Sequence, residues 1–192
     1  MTWRVPWCDR DEVALADSWR RAQPFPHVVV DDVLADDGFD ALFEILEDEP
    51  VERYVADLYA FDATAREPTT AAFVELRAEL GRVLAPALAR VTGRHVTRAD
   101  LRAYAYRAGD HLLPHTDHQD ELARVLAYAY YLPSPEPPQG GELELFAGYA
   151  SARVIEPRAN RIAIFEVSDA SLHQVREVMA GTRLSLAGWF YA

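Results

Sequence analysis

The sequence predicts a mainly β fold with supporting N-terminal helices and a sandwich or jelly-roll core, and three observations predict it. Apolar periodicity is helical up to about residue 95 and turns to strand-like alternation from Thr97 onward. Turn signals then recur at short intervals through the second half. Helices first and a run of short strands afterwards is the order of a closed β core with helices on its flank. With 192 residues and no linker-like segment, the chain is expected to form one domain. Helical support would occupy about residues 1–95 and the β core about 96–192.

The elements follow in order. Residues 9–21 read as a short helix of mixed polarity, after which Pro24-Phe25-Pro26 punctuates the chain. Residues 27–33 are β-branched and strand-like. Asp36 or Asp37 is placed to cap a second helix, whose apolar positions Phe39, Leu42, Phe43, Ile45 and Leu46 keep helical spacing. Thr69 or Thr70 starts a third helix, with Phe73, Leu76, Leu80, Leu84, Leu88 and Val91 on one face and Gly93 where a C-cap belongs. Pro86 is expected to interrupt or kink its last turns. Strands are expected over 101–106, 125–132, 142–146, 152–155, 161–167, 173–178 and 183–191, separated by turns at 107–110, 133–141, 157–160 and 180–181.

Composition narrows the class. Half of the residues are hydrophobic and 26% charged, which fits neither disorder nor a membrane span. No apolar run approaches the roughly 20 residues a spanning helix needs, and residues 1–20 lack the apolar stretch of a signal peptide. The single Cys8 excludes an intramolecular disulfide framework and a thiolate-rich metal site. A soluble, cytoplasmic protein is expected. The net charge of −12 repels polyanions, there is no Lys, and apart from Arg20-Arg21 the arginines occur singly. Neither nucleic acid nor membrane is expected as a partner.

The chemistry-bearing residues lie in the second half. On a strand, His115 and Asp117 would face the same side. With one imidazole from elsewhere they would form a facial triad, which suits Fe(II) and leaves positions open for co-substrate and O2. The triplet does not choose itself, because His118-Gln-Asp120 follows in the opposite parity and His111 is close by. A third imidazole, His173, returns after several strands, and Arg183 and Ser185 would share a strand face. Buried there, the guanidinium and hydroxyl would hold one end of a dicarboxylate.

In this order the residues resemble the 2-oxoglutarate/Fe(II) oxygenases, in their prolyl-4-hydroxylase-like branch. The resemblance covers about residues 100–191. Tyr106-x-x-Gly109 followed by His115-x-Asp117 looks like the branch's first metal motif. Ala129-Tyr130-Tyr131-Leu132 and Gly140-Gly141-Glu-Leu143 look like its central tyrosine strand and Gly-Gly turn. His173-x-Val175, Arg183-x-Ser185 and Gly188-Trp189-Phe190 complete the series. Phe25-Pro26-His27 and the residues to Asp31 are similar to the opening strand of ribosomal-protein prolyl hydroxylases.

The resemblance implies a double-stranded β-helix (cupin-like) core and Fe(II) held by His115, Asp117 and His173, since this pair and not His118 and Asp120 stands at the family spacing from Gly109. It implies 2-oxoglutarate as co-substrate, anchored by Arg183 with Ser185, with Tyr131 on the distal carboxylate and Tyr106 near the other end. Ascorbate would be a supporting reductant. The reaction implied is O2-dependent hydroxylation of an unactivated C–H bond in an amino-acid-like substrate, free, carrier-bound or peptidyl, proline included. The carboxylate of Asp117 favours hydroxylation, because related halogenases carry a small residue there so that chloride binds iron.

Among the neighbours, Arg176 is expected to face away from the metal, Tyr104 and Tyr128 to pack, and Trp189 to fill the core behind Arg183. Residues 133–139 and 57–70 are candidates for a rim or lid. Two other classes remain open: a cupin-like metal protein, which has no need of Arg183-x-Ser185, and a non-catalytic interaction module, which has no need of the ligands.

Overall fold

The computed structural model describes residues 12–35 and 38–192. Cys8, the expected helix start at Asp9 and the candidate caps Asp36 and Asp37 lie outside these residues. Among the described residues the helices are α1 (Glu12–Arg21), α2 (Gly38–Glu47) and α3 (Ala71–Thr92). The strands are β1 (His27–Asp31), β2 (Val51–Ala56), β3 (Tyr59–Thr64), β4 (Arg98–Ala99), β5 (Arg102–Arg107), β6 (His111–His115) and β7 (Arg124–Tyr131). They continue with β8 (Gln139–Gly140), β9 (Leu143–Ala147), β10 (Ala150–Ile155), β11 (Arg161–Glu166), β12 (His173–Val175), β13 (Val178–Ala180) and β14 (Thr182–Tyr191).

The main sheet runs β1-β11-β7-β14-β5-β3-β6-β12-β9-β10, with β2 added on β3, β4 on β14, and a separate β13–β8 pair. Every pairing in it is antiparallel. The sheet curls until strands far apart in this order face each other, which closes a double-stranded β-helix. Strand parity explains how one sequence serves two cores. Leu126, Tyr128 and Tyr130 of β7, Ile162 and Ile164 of β11, and Leu186 and Phe190 of β14 point outward and pack on Leu80, Leu84 and Leu88 of α3. The intervening Ala127, Ala129, Tyr131, Ala163 and Phe165 point inward and meet Leu143 and Leu145 of β9. Each fully buried Leu or Ile contributes about 1.5–3 kcal/mol.

The third helix starts and stops where its sequence directs. Thr70 is the N-cap, its side chain accepting from the Phe73 N–H, and Gly93 takes the left-handed C-cap conformation at φ 70°. The buried Glu49 carboxylate accepts from the Thr69 and Thr70 backbone N–H groups at 2.7 and 2.9 Å, which ties the end of α2 to the start of α3. Pro86 does not end this helix, contrary to expectation. Its ring forfeits one hydrogen bond, but Leu84, Ala87, Leu88 and Val91 are all buried around it and hold the helix to the sheet.

The sequence reading placed no strands between residues 51 and 64; they form the hairpin β2–β3, whose β3 enters the sheet between β5 and β6. Arg53 of β2 donates to Asp110 at 2.7 Å, pinning the hairpin to the turn after β5.

Candidate metal and co-substrate site

The curled sheet leaves a cavity of about 490 Å³ among β3, β5, β6, β7, β12 and β14. Its floor is sequence-encoded: Ala127, Ala129, Ala187 and Gly188 line it, so small side chains stand where bulky ones would fill the core.

His115, Asp117 and His173 meet in this cavity, with one potential ligand atom from each lying within 4.8 Å of the others. His115 and His173 are direct partners in the β6–β12 register, and their ring centroids are 4.3 Å apart. Asp117 Oδ1 is 3.8 Å from His115 Nε2, and Oδ2 is 3.5 Å from His173 Nε2. One premise of the sequence reading is corrected here. β6 ends at His115, so Asp117 sits just beyond the strand and reaches the site from the following loop.

Backbone carbonyls fix the imidazoles. His115 Nδ1 lies 2.9 Å from the Leu113 oxygen, and His173 Nδ1 lies 2.9 Å from the Ser171 oxygen. A carbonyl only accepts, so each Nδ1 carries the proton and each Nε2 lone pair faces the other two donors. Burial pushes the His173 imidazole down to about 4, against the pull of the Asp117 carboxylate. It is therefore neutral at physiological pH, the form a metal requires. His118 takes no part: its Nε2 lies 3.2 Å from Asp120, which is exposed. His111 is turned to the Gly109 carbonyl at 3.2 Å.

Deeper in the same cavity stands Arg183, only 3% exposed. The sheet register sets its surroundings: β14 pairs Arg183 with Tyr106 of β5, and Ser185 with Tyr104 of β5 and Tyr131 of β7. The guanidinium carbon consequently lies 4.9 Å from the Tyr106 ring centroid and 5.0 Å from that of Tyr131. Its Nη1 donates to Ser185 Oγ at 3.1 Å. No carboxylate of the described residues pairs with it, and its Nε and the Tyr131 hydroxyl are buried without a hydrogen-bond partner. Burial raises the Tyr131 phenol, with Arg183 pulling the other way, so the hydroxyl remains a donor. A buried cation and a buried phenol left open together match one carboxylate. The His-Asp-His donor set and this anion-binding subsite thus fit Fe(II) with a dicarboxylate co-substrate.

Comparison with known proteins decides the family. The description "2OG-Fe(II) oxygenase superfamily" matches residues 101–191. The prolyl 3-hydroxylase OGFOD1 of Mus musculus is 32% identical over 184 residues, which cover 88% of this chain and 33% of that protein. The prolyl 3-hydroxylase sudestada1 of Drosophila melanogaster is 31% identical over 166 residues, covering 77% and 31%.

This chain belongs to the 2-oxoglutarate/Fe(II) oxygenase superfamily.

It falls in the prolyl-hydroxylase-like branch, although it spans about a third of the length of those curated relatives. Solved structures place the oxygenase fold beyond the matched segment. A Pseudomonas putida prolyl-4-hydroxylase superposes with a TM-score of 0.72 at 20% identity, covering 94% of this chain and 98% of that one. A Trichoplax adhaerens prolyl hydroxylase bound to a hypoxia-inducible-factor peptide gives 0.74 at 15% identity, covering 99% and 94%. The epimerase SnoN from nogalamycin biosynthesis gives 0.67 at 17%, covering 94% and 82%, so the fold does not by itself dictate the outcome of the reaction.

Several neighbours of the oxygenase site differ from expectation. Trp189 packs against the inner core and also lines the cavity, stacked under the Arg124 guanidinium at 3.6 Å. Tyr104 and Tyr128 both line the cavity, and Tyr128 also belongs to the outer core and donates to the Asp100 carbonyl at 2.8 Å. Arg176 is turned away as expected, pairing with Glu144 through Nε at 2.7 Å. None of residues 133–139 lines the cavity. That loop instead holds the next turn, the Glu136 carbonyl accepting from the Thr182 N–H at 2.9 Å.

Sequence reasoning missed Arg124, whose Nη1 donates to the Asp117 carbonyl at 3.2 Å, and Tyr54, while Tyr59 and Phe61 were included only as part of the candidate rim segment 57–70 and not singled out. Arg124 is a lone cation at a strand start and carries no motif. The aromatics recur at alternate positions, Tyr59 and Phe61, a period-2 signal that was available.

Proposed function

We propose that this chain is an Fe(II)- and 2-oxoglutarate-dependent hydroxylase acting on a proline-like residue, with a peptidyl prolyl group as its substrate. The observation that carries the proposal is the union, in one cavity, of a His-Asp-His donor set with a buried arginine that has no acid of its own. The prolyl hydroxylases among its relatives and structural neighbours supply the substrate class.

In this reading His115, Asp117 and His173 hold the metal on one face, and Arg183, Ser185 and Tyr131 hold the distal carboxylate of 2-oxoglutarate. Tyr106 flanks the guanidinium and keeps it from solvent. When bound, Fe(II) and 2-oxoglutarate supply the oxidising power that places one oxygen of O2 into a C–H bond, the co-substrate leaving as succinate and CO2. The chain's own work is positional. Leu113 and Ser171 carbonyls aim the two Nε2 atoms. The Ala127, Ala129 and Ala187 floor keeps room for the co-substrate, and Tyr54, Tyr59, Phe61 and Trp189 supply apolar walls for a proline ring.

A cupin-like binder would share the donor set, but it would gain nothing from an unpaired buried Arg183, which costs stability until an anion meets it. The deciding experiment is anaerobic titration of the Fe(II)-loaded protein with 2-oxoglutarate, followed by a succinate assay against proline and prolyl peptides. A charge-transfer absorption on titration and peptide-stimulated succinate support the reading. Absence of that absorption with stoichiometric iron bound removes it.

A further inference from the structure

Arginines that are scattered singly in sequence converge in space. A groove of about 860 Å³ runs between α3 and the β4–β14 edge, lined by Arg66, Arg77, Arg82, Arg98, Arg102 and Arg124. These are six of the nineteen cations in a chain whose net charge is −12. Two carboxylates share the lining and offset only part of the charge of its six arginines. Glu67 lies 3.5 Å from Arg77 but is 88% exposed, so solvent screens that pair. Asp100 is committed elsewhere, accepting from the Trp189 backbone N–H at 2.7 Å and the Tyr191 hydroxyl at 2.8 Å.

The helix is shaped for this. Ala78, Gly81 and Ala85 give α3 a floor of small residues between the flanking cations Arg77 and Arg82. A Cβ on Gly81 would come 3.3 Å from the Ala99 nitrogen, so glycine lets the helix lie close on β4. Opposite, Arg98 spreads over the Tyr191 ring at 3.5 Å.

The groove adjoins the oxygenase cavity, with Arg66, Arg102, Arg124 and Trp189 lining both. At that junction Arg102 Nη2, Arg124 Nε and Trp189 Nε1 are buried with no acceptor. Buried donors are rarely left open, since each unmade bond costs free energy. Three of them together, continuous with a cationic trough, match an acceptor-rich, negatively charged chain passing from groove to cavity.

We infer that the substrate is a peptide with acidic side chains beside the hydroxylated residue, and that its acidic stretch lies in the α3–β4 groove; this rests on the hydroxylase reading above. A long nucleic acid is the less suitable anion. The acidic body repels a polyanion at range, whereas a short acidic peptide needs only the local field, which extends about a Debye length, roughly 8–10 Å.

Fluorescence anisotropy tests this with labelled peptides carrying one central proline flanked by Glu and Asp, by Gln and Asn, or by Lys and Arg. The acidic peptide is expected to bind the Fe(II)- and 2-oxoglutarate-loaded protein about tenfold more tightly than the amide peptide, an advantage that shrinks as salt rises. The double substitution Arg77→Glu, Arg82→Glu should cancel that preference and turn it toward the Lys/Arg peptide. This gain of binding cannot come from misfolding. Equal binding of acidic and amide peptides, or unchanged selectivity in the double variant, overturns the inference. So does an RNA oligonucleotide that outcompetes the acidic peptide and loses affinity on the same substitutions. Binding is read without turnover, so the two readings separate. An acidic peptide bound in the groove without succinate release upholds the groove and refutes the hydroxylase. Succinate release with only the Lys/Arg peptide does the reverse.

Discussion

Arg183→Met separates an anchor from a structural arginine, because the two roles predict opposite signs for stability. The side chain is 3% exposed, and its compensation within the protein is small: one hydrogen bond to Ser185 Oγ at 3.1 Å and two tyrosine rings near 5 Å. The hydrogen bond contributes about 1–1.5 kcal/mol and each cation–π contact about 0.5–2. Desolvating a guanidinium costs several kcal/mol. Replacing it by an apolar chain of similar length should leave the ligand-free protein as stable as before, or more stable by about 1–4 kcal/mol. The same change removes the partner of a buried carboxylate, which costs about 3–5 kcal/mol in binding. At about 1.4 kcal/mol per tenfold, 2-oxoglutarate affinity should fall by roughly 100-fold or more.

Thermal unfolding with and without 2-oxoglutarate, and calorimetric titration of the metal-loaded protein, read the two quantities separately. The expected pattern is an undiminished melting temperature without ligand and loss of the ligand-induced rise. A variant that melts several degrees lower yet binds 2-oxoglutarate as tightly as the parent would refute the anchor. Ser185→Ala gives the internal scale, since it should lose about 1 kcal/mol, the value of one neutral hydrogen bond.

Three other outcomes follow from the geometry. His115→Ala, Asp117→Ala and His173→Ala should each abolish Fe(II) binding, read by metal analysis after gel filtration, while His118→Ala and Asp120→Ala keep it. Gly141→Ala should destabilise by roughly 1–3 kcal/mol in thermal melts and weaken 2-oxoglutarate binding, because φ is +73° and a Cβ would stand 2.9 Å from Val178 Cγ2 and 3.0 Å from Arg183 Cδ. Glu144 is held at about 2 by its hydrogen bonds from Arg176, against 4.5 in the open chain. The pair therefore stabilises fully above about pH 4.5 and less as pH falls toward 2, so Glu144→Gln should flatten acid unfolding across that window and leave the alkaline limb unchanged.

The sequence disclosed the site better than its setting, for a physical reason. His173, Arg183 and Ser185 lie on strands, where parity assigns a face residue by residue and a resemblance in order supplies the register. Asp117 joins His115 and His173 by a route the strand parity did not supply: it leaves the strand, and a loop brings it back. The hairpin β2–β3 was illegible because Glu52, Arg53 and Asp62 break its apolar pattern, and the buried Asp62 is tolerated only beside Arg53 and Arg107. That compensation comes from across the fold. The arginine groove was hidden for the same reason: its members come from α3, β4, β5, β7 and the turn before α3, so no run of charge betrays it.

The exclusive use of arginine follows from what these sites demand. Around the cavity the cations are stacked on rings: Arg183 between Tyr106 and Tyr131, Arg124 over Trp189, Arg102 near Tyr54 and Tyr104, Arg98 over Tyr191. A lysine has no planar face to stack and loses its proton readily when buried. It would arrive at the co-substrate subsite neutral, or else force water into it. A guanidinium stays charged through burial, lies flat against an aromatic wall, and still presents two N–H groups edge-on to a carboxylate. Arg183 is the one buried arginine among the described residues, in an interior that also holds the acids Glu49, Asp62, Asp110, Asp117 and Glu144, within a chain of net charge −12. With no acid of the described residues paired to it and its Nε buried without a partner, Arg183 offers a carboxylate a charge-assisted contact that a neutral side chain could not.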